Sequence, residues 1–493
     1  MSQKRGSKRN RTDIKDALKK RQKVRRRNKD DLYALLDWFL PEDRSFADLG
    51  LHGNTKWRPR CLIALAVIWA WSESKNVTDA FVESLETSQK LSFSAVPGTY
   101  QGFMGALSTR TPDLLLILFA TLQQRMEEIG GSFWRVNGWV PIAFDGSRST
   151  APRTNSNEKA FCAPNYGNGQ TARYRNKQTK GTRRKRNEKK KAASQEPQVW
   201  ITLMWHMGLR LPWSWELGPS NSSERAHVME MICSRQYPEK TLFCGDAGFV
   251  GFPLWSTIIK QGGDFLVRVG ANVKLLSETM DIVHKKDGLV LCWPKGMQST
   301  EPPLRLRLVK VRIGKTDMFM LTSVLDRKLL TKKQIVKLYE MRWGIEVEFR
   351  GLKQTLDRAK LRCRNDQRLL AELNWSIMAM AIAEVLALKH QLNKRATKSN
   401  PEQAPDPKKR SLANTIRALR NCLRHLNDRP QAGHDLPTAL SNAMTDNYKR
   451  PKSKRARYRP PNPDKKPLGE PAIRKLSEEE TKKMRKMEEK IAA

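Results

Sequence analysis

The stretch Trp139–Gly146 reads WVPIAFDG, and it marks the point at which the sequence changes from helical to strand-like in character. Two more short runs of β-branched and aromatic residues come after it: QVWITLMWHMGL (198–209) and RLPWSWELG (210–218). Runs of this kind, joined by turn residues, are typical of β-strands. We therefore predict three strands here, paired antiparallel.

The elements that follow these strands alternate between helix and strand. A helical stretch, SSERAHVMEMICSRQ (222–236), leads into KTLFCGDAG (240–248), and a short helix then leads into DFLVRVG (264–270). The order β-β-β-α-β-α-β predicts an α/β fold of the ribonuclease-H-like kind, although alternating elements alone would fit several α/β folds. Residues 270–325 are again strand-rich and indicate a β-strand-rich insertion, and residues 331–356 and 369–392 are helical in pattern.

The charge of the chain points to a polyanionic partner. Lys and Arg number 92 against 50 Asp and Glu, a net charge of +42, which exceeds what solubility requires. Nucleic acid fits better than a membrane, because the longest apolar run, Cys61–Trp71, has about half of the ~20 residues of a spanning helix. The basic N-terminus lacks the apolar stretch of a secretory signal, so we expect a cytoplasmic protein associated with the nucleoid.

The densest cluster of cations is Arg173–Lys191, with 11 Lys or Arg and one acid, and we predict a loop over 172–192 that interrupts the α/β region between its first and second strands. Its centre, Arg183, Arg184, Lys185 and Arg186, is a candidate for sequence-independent contacts with DNA phosphates. The alternative is a loop that only improves solubility.

These patterns divide the chain into segments, and residues 31–135 carry helical spacing throughout. We predict, in chain order, a basic disordered arm at 1–30, a helical DNA-binding N-terminal domain at 31–135, the ribonuclease-H-like catalytic domain at 136–390, a linker at 391–410, a C-terminal helical segment at 411–445 and a basic disordered tail at 446–493.

Cysteine and histidine give no sign of a metal site of their own. The seven cysteines are odd in number and never form a CxxC pair, and the seven histidines are dispersed. This argues against a disulfide framework and against a zinc module. Any metal ion is therefore expected to be held by oxygen.

Two aspartates stand directly after apolar runs. Asp145 follows Val140–Phe144, and Asp246 stands in LFCGDAGF. Each alone is better explained by a turn-capping role, which is common for Asp in this position. Two of them on neighbouring strands, however, suit Mg²⁺, a hard cation bound through one or two carboxylates plus phosphate oxygens.

A third acid comes from the helix predicted over 331–356. Tyr339, Arg342, Glu346 and Lys353 lie within an arc of roughly 60° at about 100° per residue. Such a face could be a solvated one held by ion pairs. Glu348 is turned by about 200° from Glu346, and we expect it at the surface.

The spacing Tyr339-(2)-Arg342-(3)-Glu346-(6)-Lys353, with FDGS around Asp145 and GDAGF around Asp246, resembles the signature of the bacterial insertion-sequence-four group of D-D-E transposases. The resemblance covers about residues 136–390. It departs from the group at Ala247, where many relatives have arginine, and this puts in doubt only a local DNA contact.

The resemblance implies a DNA transposase that cleaves and joins DNA by cut-and-paste chemistry. Asp145, Asp246 and Glu346 would be the catalytic metal ligands for two Mg²⁺ or Mn²⁺ ions, a pair that can activate the attacking group and stabilise the leaving oxygen. It further implies that Tyr339, Arg342 and Lys353 contact the phosphates of the transposon end. Trp293, in the insertion, would stack on an unpaired base, with core packing as its alternative role.

The expected partners are double-stranded DNA, as terminal inverted repeats and target, with a homodimer on paired ends and no membrane. Two other functions remain open. One is an inactive, transposase-derived DNA-binding protein, and the other is a ribonuclease-H-like nuclease that cleaves without joining.

Overall fold

The structure is a computed structural model that describes residues 26–51, 55–93, 98–162, 196–314, 316–393, 406–431, 433–445 and 468–492. The chain divides into two compact units, one of Met1–Phe103 with Ile382–Thr445 and the other of Met104–Ala381 with Asp446–Ala493. The basic loop at 172–192, most of the arm at 1–30, most of the linker and the first part of the predicted tail lie outside the described residues.

The described residues form helices and strands in mixed order. In chain order they are α1 (Asn28–Phe39), α2 (Pro59–Trp71), α3 (Val77–Lys90), α4 (Tyr100–Gly130), β1 (Val140–Thr150), α5 (Asn155–Phe161), β2 (Gln198–His206), β3 (Leu211–Gly218), α6 (Glu224–Ser234), β4 (Thr241–Gly245), α7 (Phe252–Lys260), β5 (Asp264–Val269), β6 (Lys274–Ser277), α8 (Met280–Lys285), β7 (Gly288–Cys292), β8 (Leu304–Ile313), β9 (Thr316–Thr322), α9 (Lys332–Arg342), α10 (Gly344–Arg350), α11 (Asp366–Leu392), α12 (Leu412–Arg424), α13 (Leu436–Ser441), β10 (Ala472–Lys475) and α14 (Glu478–Ala492).

The first unit is helical, and α2 is its core. The apolar run that the sequence assigns to a buried helix is buried almost throughout in α2. Asn28 at the start of α1 donates through Nδ2 to the carbonyl of His425 at 2.8 Å, and Arg420 of α12 donates to the carbonyl of Trp71 at 2.7 Å. Helices α1 and α2 therefore pack with the α12 region in one unit. The sequence pattern had instead predicted a separate N-terminal domain and a C-terminal segment.

The second unit is built on one ten-stranded sheet in the order β10-β6-β7-β8-β9-β5-β4-β1-β2-β3. The strands β1, β2 and β3 pair antiparallel, as predicted, and β4 and β5 continue the sheet parallel to β1. The strands of the predicted insertion do not form a separate body. They extend the same sheet, since β9 pairs antiparallel with β5, where Val267 lies opposite Leu321.

The register between β1 and β4 places the two aspartates side by side. Ala143 pairs with Cys244, and Asp145 and Asp246 each lie two residues further along the chain. The sequence suggested that Asp145 stands at the end of its strand. In the structure β1 continues beyond it to Thr150, paired with β2. It is β4 that ends, at Gly245, so β1 loses its neighbour on that side.

A long apolar helix covers part of this unit. Two helical stretches, Tyr100–Phe133 and Asp366–Leu392, are long and apolar enough to cross a membrane, but 89% of the apolar window of the second is buried inside the protein. Within the unit, Trp375 donates to Thr111 Oγ1 at 2.8 Å. Burial of this degree is that of a core helix.

Part of the predicted disordered tail is ordered. Strand β10 pairs parallel with β6, and Met484 of α14 packs against Trp293, Leu276 and Leu291. The sequence prediction for 446–493 is therefore wrong for residues 468–492. A short strand that completes a sheet edge and a helix that covers an apolar cluster leave little periodic signal in so polar a segment.

His206, at the end of β2, is a buried polar group with both ring nitrogens engaged. Nε2 donates to the carbonyl of Trp134 at 3.1 Å, and Nδ1 accepts from the amide of Leu209 at 3.0 Å. Burial lowers the pKa of His206 to about 3. The imidazole is thus held neutral, since protonation at Nδ1 would oppose the Leu209 amide.

This histidine predicts a loss of stability in acid. The unfolded chain binds the proton with an ordinary His pKa near 6.5, whereas the folded chain does not until about pH 3, so stability falls as pH drops below 6.5. We expect the share due to His206 to reach about 2 kcal/mol between pH 7 and pH 5. Urea unfolding at pH 7 and pH 5 gives the drop in the free energy of unfolding for each protein. This drop should be smaller in His206→Asn than in the parent protein by that amount. An equal loss in both proteins would contradict the prediction.

Candidate active site

Each aspartate is fixed by a backbone amide close to it in the sequence. Asp145 Oδ1 accepts from the amide of Gly146 at 2.8 Å, and Asp246 Oδ1 accepts from the amide of Gly248 at 2.7 Å. Both side chains are half-buried. Gly245 is required before Asp246, because a Cβ there would lie 3.0 Å from Phe249 Cβ and would overlap the ring of Phe144. In each carboxylate the second oxygen faces away from this local bond.

The helix that carries the third acid is not continuous. The capping box of Thr331 and Gln334 begins α9, but the helix is interrupted at Trp343 and resumes as α10. Gly344 allows the close approach at this break, since a Cβ there would lie 2.8 Å from Arg210 Nη1 and overlap Trp205 of β2. The helix predicted over 331–356 is thus divided at Trp343, whose backbone stays in the right-handed helical region, and it ends in the π-helical turn Gly351–Thr355.

Arg342 is the buried cation of the site. Its side chain is 5% exposed, and Nη1 lies 3.7 Å from Asp145 Oδ2. The guanidinium also lies 5.5 Å from the ring centre of buried Tyr339. Arg342 Nε has no hydrogen-bond partner among the described residues. A buried guanidinium beside a carboxylate, with a donor to spare, suits a further anion such as a phosphate.

Lys353 lies on the same side of the site. Its Nζ donates to Ser147 Oγ at 2.6 Å, and burial lowers the pKa of its ammonium. Residues Gly351–Thr355 form a π-helical turn, a feature that is frequent at functional sites. The chain after this turn is bound to the end of β1, where Ser149 Oγ donates to the carbonyl of Arg358 at 2.8 Å.

The pKa of Asp145 is affected by the other two acids. Burial raises the pKa of Asp145, and the carboxylates of Asp246 and Glu346 raise it further, while the Gly146 amide and Arg342 lower it. Like charges within reach of one another favour a protonated carboxyl unless a cation joins them. The structure therefore places Asp246 and Glu346 within electrostatic reach of Asp145, which lies beside Arg342.

The donor set fits a hard cation. The three acids offer only carboxylate oxygens, the ligands of Mg²⁺ and Mn²⁺. Within the described parts of the chain, no group of three or more His, Cys, Asp or Glu side chains could hold a metal ion as the side chains stand. A closed cage is not required, because Mg²⁺ keeps several waters and is commonly held by one or two carboxylates and substrate phosphates.

Glu348 is not at the surface, contrary to the sequence prediction. It is 6% exposed and interacts with neighbouring groups. The exposed side of α10 is instead the stripe of Trp343, Val347 and Arg350. Glu346 and Glu348 do point in different directions, but the helix is covered on both sides, which the sequence spacing alone does not reveal.

Five of the predicted DNA contacts are placed differently or lie outside the described residues. Trp293 is 3% exposed, and its Nε1 donates to the carbonyl of Glu301 at 2.7 Å, so the structure supports its packing role. The basic residues Arg183, Arg184, Lys185 and Arg186 lie outside the described residues.

Sequence reasoning missed one acid, Glu224. It is the first residue of α6 and lies against Gly146, beside Asp145. The signal was the pattern SSER directly after β3, which opens a helix with an acid in its first turn.

Comparison with known proteins agrees with this geometry. Residues 141–382 match the family described as "Transposase DDE domain". The match supports a DDE transposase. It begins at the start of β1 and includes all three acids of the site. No curated protein matches the chain.

One similar solved structure is titled "Cryo-EM structure of piggyBac transposase synaptic complex with hairpin DNA". The likeness covers 84% of this chain and 85% of that chain, with 11% sequence identity and a TM-score of 0.38. At this distance it carries no argument about the DDE domain.

The burial of Glu348 predicts a role in stability. Glu348→Gln changes a buried side chain that interacts with neighbouring groups, so we expect the free energy of unfolding to fall by about 1–3 kcal/mol. Glu340→Gln, at an exposed position of α9, should change it by less than about 0.5 kcal/mol. Urea unfolding measures the free energy of unfolding of both variants. Equal stability of the two would contradict the stabilising role of Glu348.

Proposed function

We propose that this chain is a DNA transposase of the insertion-sequence-four group, which cleaves transposon ends and joins their 3′-OH groups to target DNA by cut-and-paste chemistry. The observation that carries the proposal is the β1–β4 register, which sets Asp145 beside Asp246 with Glu346 within electrostatic reach. The strand arrangement, three antiparallel strands continued by two parallel ones, supports a ribonuclease-H-like core.

The three acids would hold two Mg²⁺ or Mn²⁺ ions through their carboxylate oxygens. When bound, such a pair supplies an activated water or 3′-hydroxyl and stabilises the departing oxygen of the phosphodiester. The Gly146 and Gly248 amides hold one oxygen of each aspartate, which orients the other. Fixing the ligands in advance lowers the cost of ordering them when DNA arrives.

The cationic residues of the signature would contact the DNA. Arg342 offers a planar fork with a spare Nε donor, and Lys353 offers a point charge beside Ser147. Both would neutralise phosphate charge near the scissile bond. The ring of Tyr339 lies 5.5 Å from the guanidinium of Arg342 and is buried. Any contact of Tyr339 with DNA would therefore be made through its hydroxyl group.

The partners follow from the charge. A net charge of +42 suits double-stranded DNA, both as terminal inverted repeats and as target, with the Arg173–Lys191 segment adding affinity but not specificity. We further propose a homodimer that pairs two ends, and a place in the cytoplasm on the nucleoid. A nuclease that does not join ends, or an inactive DNA-binding relative, would fail a strand-transfer assay with 3′-OH ends.

The decisive variant is Glu346→Gln, which keeps the shape of the side chain but removes the charge that a cation needs. We expect nicking of a labelled fragment that carries the inverted repeat flanking the gene to fall by roughly 10²-fold or more, with binding in a mobility-shift assay retained. Glu340→Gln, exposed on the neighbouring α9, is the matched control and should nick normally. Normal nicking by Glu346→Gln would remove Glu346 from the chemistry and with it the proposed function.

A further inference from the structure

Side chains from three other segments hold the loop that carries Asp246. Each of them donates to a backbone carbonyl of residues 246–251. The pairs are Asn272 Nδ2 with Ala247 at 3.1 Å, Trp255 Nε1 with Phe249 at 3.3 Å and Arg225 Nη1 with Val250 at 2.8 Å. Of these three bonds, the one from Asn272 reaches the residue next to Asp246.

The carbonyl of Ala247 and the amide of Gly248 belong to one planar peptide group. The carbonyl accepts from Asn272, and the amide donates to Asp246 Oδ1 at 2.7 Å. The two groups of a trans peptide point in opposite directions, so this peptide is held between Asn272 on one side and the Asp246 carboxylate on the other. A rotation of the peptide that breaks one bond also misaligns the other. Asn272 therefore fixes the donor that orients Asp246.

Asn272 is itself fixed in the turn that joins β5 to β6. Its Oδ1 accepts from the amide of Gly270 at 3.2 Å, so both ends of the side-chain amide are engaged. The turn also closes on its own backbone, because the amide of Val273 donates to the carbonyl of Gly270 at 2.9 Å. Strands β4 and β5 are parallel neighbours, and the chain therefore leaves both of them at the same edge of the sheet. The turn is closed without Nδ2, whose bond joins it to the neighbouring loop.

The C-terminal segment 468–475 is bound to the same turn. Two backbone hydrogen bonds join them, from the amide of Ala271 to the carbonyl of Leu468 at 2.9 Å and from the amide of Ala472 to the carbonyl of Val273 at 3.1 Å. A Cβ built on Gly270 would lie 2.7 Å from the carbonyl oxygen of Leu468 and would overlap the Leu468 side chain. The backbone on both sides of Asn272 is therefore held by a segment that is far away in the sequence.

We propose that Asn272 is a positioning residue for Asp246, and that the segment 468–475 acts on Asp246 through it. This rests on the proposed function, in which Asp246 is one of the acids at the scissile phosphate. The alternative is that Asn272 only closes its own turn. That role uses Oδ1 and the backbone, and it leaves the bond from Nδ2 to Ala247 without a purpose.

Hydrogen exchange of the full chain, followed by mass spectrometry without metal or DNA, tests the contact itself. Asn272→Asp keeps the acceptor for the Gly270 amide but lacks the donor to Ala247, and Asn272→Ala lacks both. The amide hydrogens of 246–251 should exchange roughly 3- to 10-fold faster in both variants, as expected for the loss of one hydrogen bond. Gln261→Ala, exposed at the end of α7, is the control and should match the parent protein. Parent-like exchange in Asn272→Asp would assign the side chain to its own turn and overturn the proposal.

Gly270→Ala tests the contribution of the C-terminal segment without removing it. The added methyl group would overlap Leu468, so exchange should become faster over 468–475 and, through Asn272, over 246–251. Gly296→Ala is the matched control, because a Cβ there has no atom within 4 Å. Parent-like exchange over 246–251 in Gly270→Ala would show that the segment does not act on Asp246.

Nicking of a labelled inverted-repeat fragment links the contact to the reaction. Both Asn272 variants should nick roughly 3- to 10-fold more slowly at saturating protein, with binding in a mobility-shift assay unchanged, because positioning acts on the chemical step. If the parent protein nicks and both variants nick at its rate, the positioning role is wrong and the proposed function stands. If the parent protein does not nick, the proposed function is wrong, and with it the part of the proposal that concerns the reaction.

Discussion

The parallel pairing of β1 with β4 is the constraint on which the rest of the site depends. It fixes Ala143 opposite Cys244, and each aspartate follows two residues later, Asp145 within β1 and Asp246 just beyond the end of β4. A slip of one residue would turn one of the two carboxylates into the core. The apolar residues under the strands prevent this, because Phe144 and Phe243 are fully buried and Phe144 packs on Phe249 at 4.5 Å between ring centres.

The third acid is positioned by a different set of bonds. The chain beyond α10 is fastened to the end of β1 through Ser149 and through Leu361, whose amide donates to the carbonyl of Thr150 at 2.8 Å. Arg358 is buried there, donating to Ser376 Oγ at 2.7 Å beside buried Glu372. Removing one partner of such a buried pair costs about 3–5 kcal/mol, so the arrangement tolerates little change. The chain that follows the helix of Glu346 is thus fixed to the end of β1.

Local patterns predicted the parts of this site that depend on local physics. Alternating β-branched and aromatic residues gave β1 to β5, and an acid after an apolar run gave Asp145 and Asp246, because strand propensity and turn chemistry act over a few residues. What failed depends on contacts between distant segments. The close approach of Gly344 to Trp205 and the burial of Glu348 both depend on how α10 packs in the folded protein. Strand β10 and the place of Glu224 against Gly146 likewise require the folded sheet.

The most direct test of the central claim is to locate the metal ions in a crystal of the protein with a DNA end and Mn²⁺, using anomalous scattering. The account predicts manganese peaks at the carboxylates of Asp145 and Asp246 with Glu346 alongside, and the scissile phosphate of the DNA at the same point. Peaks elsewhere, or an ordered DNA end with no manganese at these aspartates, would contradict it.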